Sequence, residues 1–297
     1  MLMHIVWDVS PEIIEGWKTP NYYGLLFVTG IFLGFLTIKR MFKKEGVDEK
    51  TLDTLLIYVV IATILGARLG HVFFYDWDHY KNNLGDILKV WEGGLASHGA
   101  AIAILIAMFI FAKKVSKKPY LWGLDRIVGP IALAGGFIRL GNLMNSEIVG
   151  KPSTWQYAFK FLRHDITPQQ AVNITGIDDV QKAYTALSDT DKYAELWAEI
   201  PARYPTQIIE AAAYFAIFAI LMYIFWKKDG HKRDGLLFGV FMIGIWGVRF
   251  FVEFVKEGQT DRDFNNPLNT GQMLSVPFIL VGIWLVLRGM RGEKESI

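Results

Sequence analysis

The chain has 297 residues, 52% of them hydrophobic, with 28 glycines, 21 phenylalanines, 12 tyrosines and 10 tryptophans, which is far more apolar than a soluble domain of that length. Its apolar residues are gathered in blocks, so a formal net charge of +2 says less than where the charges fall. With no cysteine, a disulfide framework, a thiolate metal site and a cysteine nucleophile are excluded, and any thiol in the chemistry must arrive on a substrate.

Residues 1–20 lack a basic stretch followed by an apolar core and do not read as a cleaved signal peptide. Beyond them, a hydrocarbon core of roughly 30 Å requires about 20 apolar residues per helix. Segments 22–40, 52–75, 95–112, 120–140, 206–226, 235–255 and 272–290 meet that requirement. The expected fold class is all-α, a polytopic membrane protein with about seven transmembrane helices. Asp125, Arg126 and Pro130 interrupt the fourth, so its first turn is expected in the interface, with a kink at Pro130.

Loop charges set the orientation. Lys39, Arg40, Lys43, Lys44 and Lys50 follow the first span, and Lys113, Lys114, Lys117 and Lys118 the third. Lys227, Lys228, Lys232 and Arg233 follow the fifth, and Arg288, Arg291 and Lys294 the seventh. The connections between carry Asp76, Asp78, Asp86 and Glu92, or Glu257, Asp261 and Asp263. This alternation puts the basic connections in the cytoplasm and the amino terminus outside. One outer connection, 141–205, is long enough to be functional or a unit of its own. Its second half, Gln169 to Glu199, is polar and rich in Ala, Glu and Lys. A small extracytoplasmic head with one or two short helices is expected there, with Trp155, Tyr157, Phe159, Phe161 and Leu162 packing against the membrane surface. The expected organisation is a transmembrane helical body, 1–140 and 206–297, with the 141–205 head inserted between spans four and five. No internal repeat is visible, which weakens an inverted-repeat transporter reading.

Arg68, His98, Arg139, Asn142, Asn145, Glu147, Arg249 and Glu253 come from four apolar segments, and this topology puts all of them in the outward half. Charges within spans are costly and mark a site. At about 1.5 Å per residue, Arg249 lies roughly 20 Å from the inner face and about 10 Å below the outer one. Tyr23, His98 and Arg139 fall near outer ends, so the basic groups lie near outer-leaflet phosphates. Each residue also has a plainer reading. An arginine near a helix end snorkels, Glu253 four residues after Arg249 makes a structural ion pair, Arg68 packs, and His98 is a satisfied polar residue. Gly93, Gly94 and Gly99 around His98 allow close backbone approach. The stretch GGFIRLGNLMNSEIVGK, Gly135 to Lys151, is the most specific: Arg139, Asn142 and Asn145 recur at three-residue spacing along one stripe of a helix. Helix capping explains one of these Asn residues, but not two amides, an Arg and a Glu so close together. His4, His71, His79, His164 and His231 have no metal-ligand spacing, and neither a metal nor a cofactor is expected.

Seven motifs in order carry a resemblance: PNYYGLL around Tyr23, GARLGHVFFY around Arg68, WEGGLASHGA ending just after His98, RLGNLMNSEIVGK, RYPTQIIE around Gln207, GVRFFVEF with Arg249 and Glu253, and TGQMLSVP at Gln272. In these the chain resembles the bacterial prolipoprotein diacylglyceryl transferases over nearly its whole length. The resemblance implies a seven-span enzyme of the bacterial inner (cytoplasmic) membrane with its active site facing the periplasm. Such an enzyme moves the sn-1,2-diacylglyceryl group of phosphatidylglycerol onto the lipobox cysteine thiol of a preprolipoprotein signal peptide. A thioether forms and glycerol 1-phosphate leaves. His98 matches the family's essential His, Arg139 its motif Arg, and Arg249 the late Arg that acts on the phosphate. Tyr23, Asn142, Glu147, Gly150 and Glu253 match other functional positions. The chain departs from the family at Ala100, where a second Gly is usual, at Ser146, where the signature has Gly, and at Val149 and Lys151, where Trp and Arg are usual. It departs again at Tyr204, usually His, and Ile245, often Tyr.

From these positions the catalytic residues are expected to be His98, Arg139 and Arg249. Phosphatidylglycerol is expected to meet Tyr23, Arg68, Arg139, Asn142, Asn145, Glu147, Gly150, Arg249 and Glu253. The thiolate is the attacking species, and fixed cations stabilise the leaving phosphate. The planar arginine fork suits a bidentate phosphate grip. His98 then activates the thiol, although either arginine alone could lower the thiol's pKa. The expected partners are phosphatidylglycerol, the preprolipoprotein and membrane lipid, with no nucleic acid. A transporter with an outward-facing polar cavity is the rival from another class. It requires polar residues across the whole membrane, whereas the inner halves carry little beyond Asp125 and Arg126.

Overall fold

Long apolar helices dominate the computed structural model, which describes residues 4–14, 16–17, 19–90, 93–257 and 269–291. Glu92, Asp261, Asp263 and Lys294, used above as loop charges, and Trp91 of one motif lie outside the described residues. The long helices are α1 (Tyr22–Glu45), α2 (Glu49–Phe74), α4 (Ser97–Phe111), α5 (Tyr120–Met144), α10 (Thr206–Lys227), α11 (Leu236–Val252) and α12 (Thr270–Met290). A short α3 (Trp77–Tyr80) follows α2, and Ala112–Ser116 extends α4 as a π-helical turn. Among the described residues six helices are long and apolar enough to cross a membrane, with α4 counted to Ser116, as in a polytopic membrane protein. The seventh apolar helix, α11, has 17 residues, so at about 1.5 Å per residue it falls short of a 30 Å core.

The chain folds into two compact units. The first holds residues 1–35, 129–223 and 239–284. Here β1 (Ile5–Trp7) pairs in parallel with β2 (Phe159–Phe161), a two-stranded element that the all-α expectation did not contain. The Trp7 indole N–H donates to the Leu143 carbonyl at 3.1 Å, which ties the segment before α1 to the end of α5. Between β2 and α10 run four short helices, not one or two: α6 (Leu162–Asp165), α7 (Pro168–Thr175), α8 (Val180–Leu187) and α9 (Ala194–Glu199). Their boundaries follow local rules. Thr167 and Gln170 form a capping box with Pro168 behind it, Gly176 ends α7 in the left-handed region, and Asp179 caps α8. Leu162, Ile166, Ala183, Leu187, Trp197 and Ile200 are among the buried core residues of this group. Phe159 and Phe161 bury against Leu143 and Val149. Phe159, Phe161 and Leu162, expected to pack on the membrane, therefore belong to the protein's own core, because two strands and four helices close over them. Trp155 and Tyr157 remain exposed.

The second unit holds residues 36–128, 224–238 and 285–297. Its α2 and α4 pack backbone to backbone through small residues. A Cβ on Gly70 would lie 2.7 Å from the Gly99 Cα, and one on Gly66 would be 2.6 Å from the Gly99 carbonyl oxygen. The two charges of the interrupted fourth span are both fully buried here. Asp125 accepts the backbone N–H groups of Gly235 at 2.8 Å and Phe238 at 2.7 Å, at the start of α11. Arg126 grips Glu45 with its Nε and Nη2, donates to the carbonyls of Trp122 and His231, and stacks on the Trp122 ring. Burial of two charges is tolerable because each is paired and hydrogen-bonded.

Candidate active site

In the first unit, a line of polar side chains runs from α10 through the end of α5 into the loop behind it. Arg139 sits five residues from the end of α5, and its Nε lies 3.1 Å from Glu210 Oε2 on α10. Glu210 is only 2% exposed. Tyr214, one turn further along α10, places its ring 5.9 Å from the guanidinium. On the other side, Arg139 Nη1 meets Asn142 Oδ1 at a long 3.5 Å. Asn142 and Asn145 donate their amides to one oxygen of Glu147, at 2.8 and 3.2 Å. The three-residue spacing thus does what it promised as far as Asn142, and Glu147 draws Asn145 into the same group. Tyr23, on the first turn of α1, packs on Gly141, where a Cβ would lie 2.7 Å from its ring. The charges of Glu147 and Arg139 both reach the Tyr23 hydroxyl.

The loop that presents Glu147 is strained. Ser146 (φ 53°) and Ile148 (φ 59°) both adopt the left-handed region, which is costly for a β-branched residue. Two side chains from the start of α10 hold it: Thr206 donates to the Ile148 carbonyl at 2.8 Å, and Gln207 to the Glu147 carbonyl at 2.7 Å. That is the work of the Pro-Thr-Gln motif. Gly150 follows, in a bridge with Lys256. A Cβ there would meet the Tyr204 carbonyl oxygen at 2.6 Å and that of Val255 at 2.8 Å. Gly150 was expected at the lipid; its observed work is backbone approach, since only glycine lets three segments come this close.

Arg249 and Glu253 behave as their spacing suggests, with Arg249 Nε 3.8 Å from Glu253 Oε1. Helix α11 ends between them, at Val252. Glu253 is held from the far side by the Asn269 amide at 2.9 Å and lies over Gly271, where a Cβ would come within 2.9 Å of its Cγ. Asn269 and Gln272 cap the start of α12 reciprocally, at 2.9 and 3.1 Å. Gly271 of the TGQMLSVP motif thus leaves room for Glu253, and Gln272 fixes the Asn269 that holds it. Just beyond, Lys256 is 7% exposed and feels Glu210, Glu253, Arg139 and Arg249.

Arg68 and His98 belong to the second unit. Arg68, expected at the lipid, is 3% exposed and occupied by backbone. It donates to the carbonyls of Asp86, Ile87 (2.9 Å), Gly93 (2.6 Å) and Gly94, and lies on the Tyr80 ring. Gly93 and Gly94 take φ of 90° and 70°, and a Cβ on Gly94 would strike His71 and Arg68. His98, in the first turn of α4, is exposed and rests against the rings of Phe74 and Tyr75 at 5.5 Å. No hydrogen bond engages its imidazole among the described residues.

Tyr214, Lys256 and Asn269 were not singled out in the sequence, and Glu210 stood there only as the last residue of RYPTQIIE, with no role given. A signal existed for Glu210, an acid inside an apolar run, by the rule that picked out Arg139. Among the described residues no three His, Cys, Asp or Glu side chains gather to hold a metal ion. The arrangement pairs each of two arginines with a carboxylate and gathers two amides on a third carboxylate, Glu147: a polar site of charged side chains amid apolar helices.

The family model for prolipoprotein diacylglyceryl transferases matches residues 14–288. A protein of Porphyromonas gingivalis named phosphatidylglycerol–prolipoprotein diacylglyceryl transferase is 40% identical over 97% of this chain and 95% of its own length. Proteins with the same name from Tolumonas auensis, 38% identical over 95% and 96%, and Chloroherpeton thalassium, 35% identical over 99% and 98%, are similar throughout. The chain belongs to the prolipoprotein diacylglyceryl transferase family.

Proposed function

We propose that this protein transfers the sn-1,2-diacylglyceryl group of phosphatidylglycerol to the lipobox cysteine of preprolipoproteins, the first step of lipoprotein maturation. The sulfur attacks the glyceryl carbon next to the phosphate ester. A carbon–sulfur bond forms, that carbon–oxygen bond breaks, and glycerol 1-phosphate departs with the electron pair. Charge grows on the phosphate as the bond breaks, so the groups that matter most are fixed cations aimed at it. Arg139 and Arg249 take that role, oriented by Glu210 and Glu253. Asn142, Asn145 and Glu147, held by the Thr206–Gln207 clamp, meet the headgroup hydroxyls, and Tyr23 closes the same side. His98 accepts the thiol proton. Arg68 holds the loop that leads to His98 and does not grip lipid.

The observation that carries this reading is the paired, buried Arg139–Glu210 contact with its amide neighbours, in a chain of this family. The same reading places the protein in the bacterial inner membrane with seven spans, α11 among them, the amino terminus outside and residues 141–205 as a periplasmic head. Incubating purified protein with phosphatidylglycerol and a lipobox peptide tests it. Thioether-linked peptide and an equivalent of glycerol 1-phosphate are expected, with neither from a Cys→Ser peptide. Release of a different water-soluble product, or solute flux without lipid turnover, would point to another lipid-headgroup transferase or to a transporter.

A further inference from the structure

The end of α1 that lies farthest from Tyr23 carries cations of its own. Arg40, Lys43 and Lys44 follow one another at spacings of three and four residues, so they share one face of the last two turns, roughly 30 Å along the helix from Tyr23. With Trp226, in the last turn of α10, they line an open groove of about 400 Å³. All four residues are exposed, and all belong to the second unit. The Lys44 ammonium sits 4.7 Å from the centroid of the Trp226 ring and 5.6 Å from that of Phe225, which is fully buried. The groove stands on a fixed base. Met41 and Phe42 are buried, Phe42 packs on Trp122 at 5.6 Å, and Arg126 grips Glu45, with its Nε 3.0 Å from Oε2.

Basic residues at one end of a span are ordinary signs of topology. Here, however, the carboxylates nearest in sequence are already engaged. Glu45 is held by Arg126, Glu49 by Lys39 at 3.0 Å, and Asp48 caps α2. Among the described residues no carboxylate comes within 4.0 Å of the charged groups of Arg40, Lys43 or Lys44. Three like charges one turn apart repel one another, and a bound anion removes that repulsion. The indole beside them is 40% exposed, at the ends of two helices long and apolar enough to span a membrane. Tryptophan in that position marks the level of lipid headgroups.

We infer that this groove binds the phosphate of an anionic phospholipid, with Arg40, Lys43 and Lys44 around the phosphate and the Trp226 indole against the glycerol backbone. Basic pockets between helices at this level take anionic headgroups. The Arg40 fork spans two phosphate oxygens, and the lysines act as point charges. This lipid is held and not converted, at the end of α1 opposite Tyr23. That it comes from the cytoplasmic leaflet rests on the orientation proposed above; that the groove binds it does not.

The test reads quenching of Trp226 by brominated lipid in phosphatidylcholine nanodiscs, which leave both faces of the protein open. Brominated phosphatidylglycerol or brominated phosphatidylcholine is included at one low mole fraction. Each protein is also measured with Trp226→Phe, and the difference is what Trp226 itself reports. In wild type the anionic lipid should be preferred at least about fivefold, the effect of about one cation at a membrane surface. Arg40→Gln, Lys43→Gln and Lys44→Gln together should abolish that preference. Lys113→Gln, Lys114→Gln and Lys117→Gln together remove the same charge from the connection after α4 and should leave it intact. Equal quenching by the two lipids in wild type would overturn the assignment. Equal loss in both triple variants would also overturn it, reducing the groove to a general basic surface. A preference abolished by millimolar inorganic phosphate would give the groove to a soluble anion instead. Should the groove variant not reconstitute, Lys43→Gln with Lys44→Gln takes its place, and the same outcomes decide. No reading involves turnover, so failure of the proposed transfer would leave them untouched.

Discussion

Arg139 and Glu210 meet side chain to side chain at 3.1 Å from two different helices, in a setting where Glu210 is almost wholly buried. Neither residue is tolerable there alone, because an unpaired charge inside apolar helices is expensive. On the proposed mechanism Glu210 acts through Arg139, as a positioning residue.

Glu210→Gln keeps the shape of Glu210 and removes its charge. Turnover should fall at least about tenfold, and the unfolding temperature in detergent should drop, because the guanidinium loses its orienting partner. Glu210→Asp should recover part of the activity. Full activity in the Gln protein would show that Arg139 needs no such partner.

Ser146 gives a prediction of opposite sign. It holds a left-handed conformation at φ 53°, and its hydroxyl is buried without a hydrogen-bond partner among the described residues. Ser146→Gly should stabilise the protein by about 1 kcal/mol, the cost of that conformation for a residue with a Cβ, while Ser146→Val should destabilise it. Thermal unfolding of the two variants against wild type checks this. A Gly variant less stable than the parent would mean that the hydroxyl has a role the strain argument misses.

Arg68 separates two accounts of one residue. As the anchor of the 86–94 loop, its replacement by Lys cannot reproduce four carbonyl contacts. Limited proteolysis of Arg68→Lys should cut faster between residues 84 and 95, with the KM for phosphatidylglycerol little changed. A raised KM with an unaltered proteolysis rate would return Arg68 to the lipid.

How much of this was readable beforehand depends on the range of the interactions. The long helices were legible because a block of about 20 apolar residues admits few alternatives, and their observed ends fall within a few residues of the expected ones, α4 counted through its π-helical turn. The Arg249–Glu253 contact and the Arg139–Asn142 stripe were legible because they depend only on helical spacing. Phe159 and Phe161 were misplaced because their burial depends on pairing with a strand more than 150 residues away. The Arg139–Glu210 contact was not legible, because it joins α5 to α10 across more than 70 residues of sequence. Gly150 was expected at the lipid from the resemblance; the three backbones that meet at it became visible only in the fold.

The central claim is that an arginine fork, held by a buried carboxylate, acts on the lipid phosphate as the ester bond breaks. Single-turnover release of glycerol 1-phosphate by Arg139→Lys and Arg139→Ala, compared with wild type at saturating peptide, tests it most directly. The account predicts a loss of about a hundredfold in the Ala protein and poor recovery with Lys, whose point charge cannot span two phosphate oxygens. Release at close to the wild-type rate by either variant would contradict it.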